Sequence, residues 1–340
     1  MKVNAYIPFS LPFPREGIDK LVAGSLRQFE ALSGVIKLGD KRATPLKFRR
    51  VALSEARTKL SSHHNFESFN RTQFFEISSD IDPATHKFRC NTETIEERNR
   101  ISILHSNLAN EITSLVHKVV IACNVARPGS VNIGTGYIFF DGKFHSTLFG
   151  LYSNLNLLSA FGAKVEWPKL RLLRIRKVWD WLSSCDDFRE GHGRGTLGRS
   201  LAAFSYLFVN QFGQESPLED LWVIVGLEAI FGSNGSQREL ATKAELFLGH
   251  SEKYPNWAYD LYKSRSKLIH GGASLPFSIA DDGVLEEFEQ YLEKRMDMMD
   301  RSGPCLLGVF QKMCILNIQT IEFETRVVRK TISRGASAGV

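Results

Sequence analysis

The sequence predicts an α+β protein, with a mixed α/β N-terminal domain over residues 1–165 and an all-α helical bundle over 166–302. A C-terminal helical extension is expected over 303–340, ending in a disordered tail after about Thr331, where SRGASAGV is small and polar. Three observations lead to this division. The first half alternates short aromatic and β-branched runs with helical periods. An Asp-Gly pair sits between two of its aromatic-rich runs. From Trp167 onward helical periods follow one another, separated by short polar breaks. A chain of 340 residues is also longer than one core usually supports.

Taken in order, Lys2 to Phe9 and Phe74 to Ser78 read as short strands, and Asp19 to Leu32 has helical spacing. The clearest helix of this half runs from about Ile101 to Cys123. Ile101, Leu104, Leu108, Ile112, Leu115, Val119 and Cys123 recur at steps of three and four, and Pro128 and Gly129 stop it. In TGYIFFDGKFHSTLF, Asp141-Gly142 supplies the positive backbone angles of a two-residue turn, so a hairpin is expected.

The second half begins with WPKLRLLRIRKVWDWL, where Pro168 suits a first helical turn. SLAAFSYLFVNQF places Leu201, Phe204, Leu207, Phe208 and Phe212 on one helical face. A helix beginning at Pro217 has Glu219 and Asp220 in its first turn, where negative charge meets the positive end of the dipole, and continues through LWVIVGLEAIFG. It is apolar nearly all round and so belongs at the centre of a bundle. Further helices are expected at about Gln237 to Leu248, Asn256 to His270 and Val284 to Arg301. Between Pro304 and Arg329, residues such as Leu307, Phe310, Met313, Ile315, Ile318 and Ile321 predict one or two helices packing onto the bundle or onto a second subunit.

Composition excludes some classes of function. Apolar residues make up 43% and charged residues 24%, the balance of a water-soluble globular protein. The longest apolar run, Leu115 to Ala126, is broken by His117, Lys118 and Asn124 and falls short of the roughly 20 residues a bilayer span needs. No membrane association is expected. MKVNAYIPFSLPFPREG has three prolines where a signal peptide needs an unbroken apolar helix, so a cytoplasmic location is expected. The five cysteines are odd in number and without paired spacing, and neither they nor the His63-His64 pair show the spacing of a metal site. No metal or cofactor is expected. The net charge of +6 permits a polyanionic partner without requiring one.

Two basic features need weighing. Arg171, Arg174, Arg176 and Lys177 interleave with Leu172, Ile175, Trp179 and Leu182, which reads as a phosphate-tracking surface or, more plainly, as a solvated helix face. In EGHGRGTLG, Gly193, Gly195 and Gly198 match G-x-G-x-x-G. The buried strand that must precede a dinucleotide-binding loop is missing, because WLSSCDDFRE is polar, so the loop is expected only to break the chain.

The chemistry concentrates in NWAYDLYKSRSKLIHGG. Trp257, Leu261, Ser264 and Leu268 form its core stripe, and Arg265 and His270 lie off it. Residues five apart are separated by about 140° and about 7.5 Å on a regular helix, so these two side chains converge only at a helix end. Gly271 and Gly272 place that end at His270 by supplying a left-handed cap. Ser266 shares the face of His270 and Lys267 adds a cation nearby. A histidine exchanges protons near neutrality and an arginine grips two phosphate oxygens, a pairing suited to phosphodiester cleavage. RNA carries its own nucleophile in the 2′-hydroxyl, so a base and a cation suffice without metal. One histidine per chain is too few for both acid and base, which points to two chains joined across a two-fold axis. The lone carboxylate of the apolar helix, Glu228, needs a cation or donors if buried, and Arg265 is the candidate partner. The structural alternative follows directly: Arg265 serves Glu228, and His270 is a C-terminal residue favoured by the helix dipole.

Over roughly residues 196–301 the chain resembles the HEPN superfamily, and within it the Apea-like branch. LGRSLAAF, LWVIVGLEAIFG and YKSRSKLIHGG mirror, in order and spacing, the opening helix, the apolar helix with its leucine-glutamate, and the tyrosine-rich helix ending R-S-K-[LIV]-[IV]-H-G. The resemblance implies a homodimeric helical bundle whose R-x4-H pairs cleave RNA to a 2′,3′-cyclic phosphate and a 5′-hydroxyl, with Arg265 and His270 in those roles. Ser266 stands where many members carry Asn, Asp or His. Members of this branch resemble toxin-like effectors of bacterial anti-phage defence, which implies that residues 1–165 sense an unknown trigger. The rival expectation is a non-catalytic HEPN module that binds RNA, nucleotide or a partner protein as a sensor or scaffold.

Overall fold

The computed structural model describes residues 1–10, 27–38, 44–60, 62, 73–82, 97–151, 167–208, 219–232, 236–272 and 303–324. The chain is α+β, as expected, with an antiparallel sheet in the N-terminal part and helices thereafter. The expected helix at 284–301, Phe212, the His63-His64 pair and the tail after 331 lie outside the described residues, as does most of the helical spacing from Asp19.

The sheet is built around β1 (Lys2–Ser10), because nearly all of β1 is buried and can be paired on both edges. β5 (Gln73–Asp80) flanks it on one side, followed by β4 (Lys47–Val51) at the edge. On the other side lie β7 (Gly136–Phe140) and then β8 (Lys143–Leu148), and the short β6 (Asn132–Ile133) also pairs with β1. All these pairings are antiparallel. The small strands β2 (Lys37–Leu38) and β3 (Thr44–Pro45) form a separate pair. The expected hairpin is present: Asp141 (φ 47°) and Gly142 (φ 78°) both adopt the left-handed region between β7 and β8.

The alternation of β1 assigns its two faces. Val3, Ala5, Ile7 and Phe9 face the main core together with Phe75, Ile77, Ile138 and Phe140. Tyr6 faces the other way and joins Phe74, Tyr137 and Phe139 in a smaller cluster, closed by Ala56 and Leu60 of α1 (Leu53–Leu60). β4 was not legible in the sequence. As an edge strand reading KFRRV it buries only Phe48 and Val51 and otherwise turns charge to solvent, so its period-2 signal is weak.

The long helix of the first half is α2 (Glu97–Ala126), which packs the stripe from Leu104 to Val125 on the main-core face. Among the described residues no helix is long and apolar enough to cross a membrane. The main core then continues past residue 165 without a break into the helical part, made of α3 (Ile175–Ser183), α4 (Asp186–Glu190), α5 (Thr196–Ser205, extended by a 3-10 turn Tyr206–Phe208), α6 (Glu219–Phe231), α7 (Gln237–Leu248) and α8 (Trp257–Ile269).

One expectation for this part is corrected. No helix starts at Pro168: residues 167–174 are extended or bent, and α3 begins only at Ile175. The backbone of this stretch bonds outward instead of to itself. Leu173 N–H donates to the Ala126 carbonyl (2.9 Å), Arg171 N–H donates to Gln311 Oε1 (2.8 Å), and the Gln311 amide donates back to the Arg171 carbonyl and to the Val125 carbonyl. The helix over 303–316, α9, packs on the bundle, one of the two placements expected for it: Cys305, Leu306, Leu307, Val309 and Phe310 are wholly buried in the main core.

Candidate active site

The candidate site lies at the C-terminal end of α8. Trp257 and Leu261 bury the inner face of this helix against the bundle, and its last turns leave Ser266, Lys267 and His270 exposed and Arg265 half-buried. The end itself has the geometry expected of a double-glycine stop. His270 N–H donates to the Ser266 carbonyl (3.0 Å), Gly272 N–H reaches back five residues to the Lys267 carbonyl (2.8 Å), and Gly271 between them sits at φ 71°. This is a Schellman closure, which needs a left-handed residue where Gly271 stands. His270 is the last residue before that reversal, at φ −96° and ψ 13°, and is exposed.

Arg265 is half-buried, and its Nε is buried with no hydrogen-bond partner among the described residues. Its guanidinium forms no ion pair among the described residues. An orphaned buried guanidinium nitrogen is uncommon, since burial without a partner is unfavourable. Ser266 and Lys267 are exposed beside it. The last turn and a half of α8 thus carries an imidazole, a hydroxyl and two cations.

Glu228 does not join them. Its expected partner was Arg265, but the Tyr262 hydroxyl donates to Glu228 Oε1 instead, in a short hydrogen bond. Tyr262 lies one turn before Arg265 on α8 and reaches α6 where Glu228 emerges half-buried, so a neutral donor meets the carboxylate and Arg265 is left over. A second tie between these helices joins Ser264 Oγ to Asp220 Oδ2 (3.2 Å). The polar members of YDLYKSRS were visible in the sequence, but which of them faced Glu228 depended on the crossing of α6 over α8.

The glycine-rich loop is organised by Asp187. Asp187 Oδ2 accepts from Gly195 N–H (2.6 Å) and fills the space over Gly198, where any Cβ would lie 2.0 Å from that oxygen. The place an incoming anion would take at the start of α5 is therefore held by the chain's own carboxylate. Among the described residues no group of three or more His, Cys, Asp or Glu could hold a metal ion.

Another polar cluster went unread in the sequence. On the second face of the sheet, Glu76 accepts from the Tyr6 hydroxyl (3.0 Å), from the Asn4 amide and from Arg49 Nε (3.0 Å), while Arg49 also makes a bidentate pair with Glu55 of α1 (2.8 and 3.0 Å). Burial pushes the Glu76 carboxyl up, but the hydrogen bonds from Arg49, Tyr6 and Asn4 outweigh it and hold the group below its ordinary value. Burial first, and then the neighbouring Glu76 charge, push the Tyr6 phenol up. Every oxygen of Glu76 is engaged, so the cluster staples α1 to the sheet. The signal for it was a lone carboxylate inside the apolar strand QFFEIS.

The chain is thus an α+β protein with a half-buried arginine and an exposed histidine at the end of one helix. No family model, curated protein or solved structure matches the chain.

Proposed function

We infer that the protein is a metal-independent endoribonuclease that cleaves RNA through attack of the 2′-hydroxyl, with Arg265 and His270 as its catalytic residues. The observation that carries this reading is the end of α8, where a glycine reversal leaves His270 exposed one helical turn and a residue beyond an arginine whose Nε has no partner among the described residues. A structural arginine would be paired, and Glu228, the obvious acceptor, is served by Tyr262. In the reaction, the imidazole of His270 takes the 2′-hydroxyl proton and the 2′-oxygen bonds to phosphorus. The 5′-oxygen then leaves with a proton, giving a 2′,3′-cyclic phosphate and a 5′-hydroxyl. Arg265 holds the non-bridging oxygens as charge gathers on them, and Lys267 strengthens the local positive field.

Because one imidazole cannot be base and acid at once, the active form is a homodimer with two such helix ends facing each other across a two-fold axis. The resemblance of residues 196–301 to Apea-like HEPN proteins supports this arrangement, as well as a toxin-like role in anti-phage defence within the cytoplasm. The sheet-bearing N-terminal part is then the regulator that answers a trigger.

The test is incubation of purified wild-type and His270→Ala protein with total RNA and tRNA in EDTA, followed by end-group analysis. Wild-type cleavage leaving cyclic phosphates, reduced by roughly 10² or more in His270→Ala, is expected. Absence of cleavage even with cell extract added as a source of trigger would leave the non-catalytic binding module as the better reading.

A further inference from the structure

A cavity of about 500 Å³ opens between α3 and the C-terminal end of α9, away from the residues assigned to catalysis. One wall is a stripe along α3 and its two cap residues, in which Arg174, Lys177, Trp181 and Ser184 recur at steps of three, four and three. The opposite wall is Cys314, Ile315 and Asn317. Volumes of roughly 300 to 1,000 Å³ are those of small-molecule sites.

The charges on this cavity are not balanced. Arg176 is consumed by Asp180, one turn away, whose two oxygens each accept from its Nε at 2.8 Å. The side chains of Arg174 and Lys177 form no ion pair or hydrogen bond among the described residues, although both line the space. They are not needed to close the end of α9 either. The carbonyls of Met313 and Cys314 already accept from the backbone N–H groups of Ile318 (3.0 Å) and Asn317 (3.3 Å), and Trp181 Nε1 binds the Ile318 carbonyl (3.0 Å). That last contact fixes the indole as a rigid, largely apolar side of the cavity, with Ile315 across from it. Burial pushes the Cys314 thiol up while the Lys177 charge pulls it down, which locates the ammonium beside this wall.

Two uncompensated cations, one of them a guanidinium able to bind two oxygens at once, face a cavity with an apolar side and a hydroxyl at its far end. We propose that this cavity binds a small organic phosphate, its dianionic group held by Arg174 and Lys177 and its apolar body against Trp181 and Ile315. The basic run around Arg174, which in sequence reads equally as a solvated face, then has a ligand. The site is independent of the nuclease reading, because none of its residues belongs to the α8 end.

The experiment is calorimetric titration of the full chain with phenyl phosphate, inorganic phosphate and a short oligouridylate. The wild type is expected to bind phenyl phosphate saturably, more tightly than inorganic phosphate and less tightly as salt rises. Arg174→Ala/Lys177→Ala is expected to lose at least tenfold in affinity. Because both side chains are exposed, the melting temperature should not move, and Arg174→Gln/Lys177→Gln repeats the test with the side-chain length kept. Failure to saturate at millimolar phenyl phosphate, or binding unchanged in both double variants, would overturn the proposal. So would oligouridylate binding through Arg174 and Lys177 that phenyl phosphate does not displace, since the surface would then belong to RNA.

Discussion

Two buried or half-buried carboxylates, Glu228 and Glu76, show how partner choice sets a residue's role. Glu228 takes a neutral phenol and so leaves Arg265 free for a ligand, whereas Glu76 takes a cation, a phenol and an amide and becomes structural. The second case has a pH consequence. A carboxyl held below its ordinary value binds fewer protons folded than unfolded, so its contribution is full above the unfolded value of about 4.3 and fades as pH falls through the lower folded value. Urea midpoints measured from pH 6 down to pH 3 should therefore drop below about pH 4.5, and Glu76→Gln should flatten that drop. At neutral pH, Glu76→Ala leaves the Tyr6 and Asn4 donors buried without their acceptor and is expected to cost about 1–3 kcal/mol in the same assay. At the other site, Arg265→Ala should remove cleavage while leaving the urea midpoint nearly unchanged, because nothing among the described residues depends on its guanidinium. A large loss of stability would return Arg265 to a structural role.

Among the elements, α8 carries the functional argument, and its termination matters more than its length. Gly271 has no atom within 4 Å of a built Cβ, so alanine there would not clash; its φ of 71° is what alanine resists. Gly271→Ala is expected to destabilise the closure by about 1–2 kcal/mol and to fray the last turn. Because His270 N–H and Gly272 N–H are both bonded to that turn, nuclease activity should fall further than the global stability does. Comparison of RNA cleavage with thermal melting for this variant separates the two effects. Equal activity in Gly271→Ala would mean that the placement of His270 does not depend on the reversal.

At the scale of the whole molecule, the continuous core couples parts that the sequence divides. Gln311 of α9 ties the end of α2 to the segment before α3, and the Gln28 side chain accepts from Ile175 N–H (2.9 Å). Phe310 packs edge-to-face on Phe204 (5.3 Å between centroids) with no exposure at all. Phe310→Ala is expected to cost about 3–5 kcal/mol by urea denaturation. Truncation before residue 303 should yield a chain without cooperative melting, because it removes the middle of the core and not a trailing extension. A truncated chain that melts cooperatively near the wild-type temperature would contradict the central place given to α9.

Local rules determined much of this protein from sequence alone. Period-3.6 stripes placed α2, α7 and α8 to within a few residues, the Asp141-Gly142 pair placed the hairpin, and the glycine pair after His270 placed the helix end. Each of these depends on residues within a turn or two of one another, where backbone sterics and hydrophobic period decide the outcome. The structure was needed wherever a choice ran between distant segments. Whether Arg265 or Tyr262 would reach Glu228, whether residues 167–174 would bond to themselves or to Gln311 and Ala126, and how deeply 303–316 would pack against the bundle are contests among partners far apart in the chain. Their outcome follows from helix crossing and from which backbone groups are left unpaired, and no local pattern encodes either.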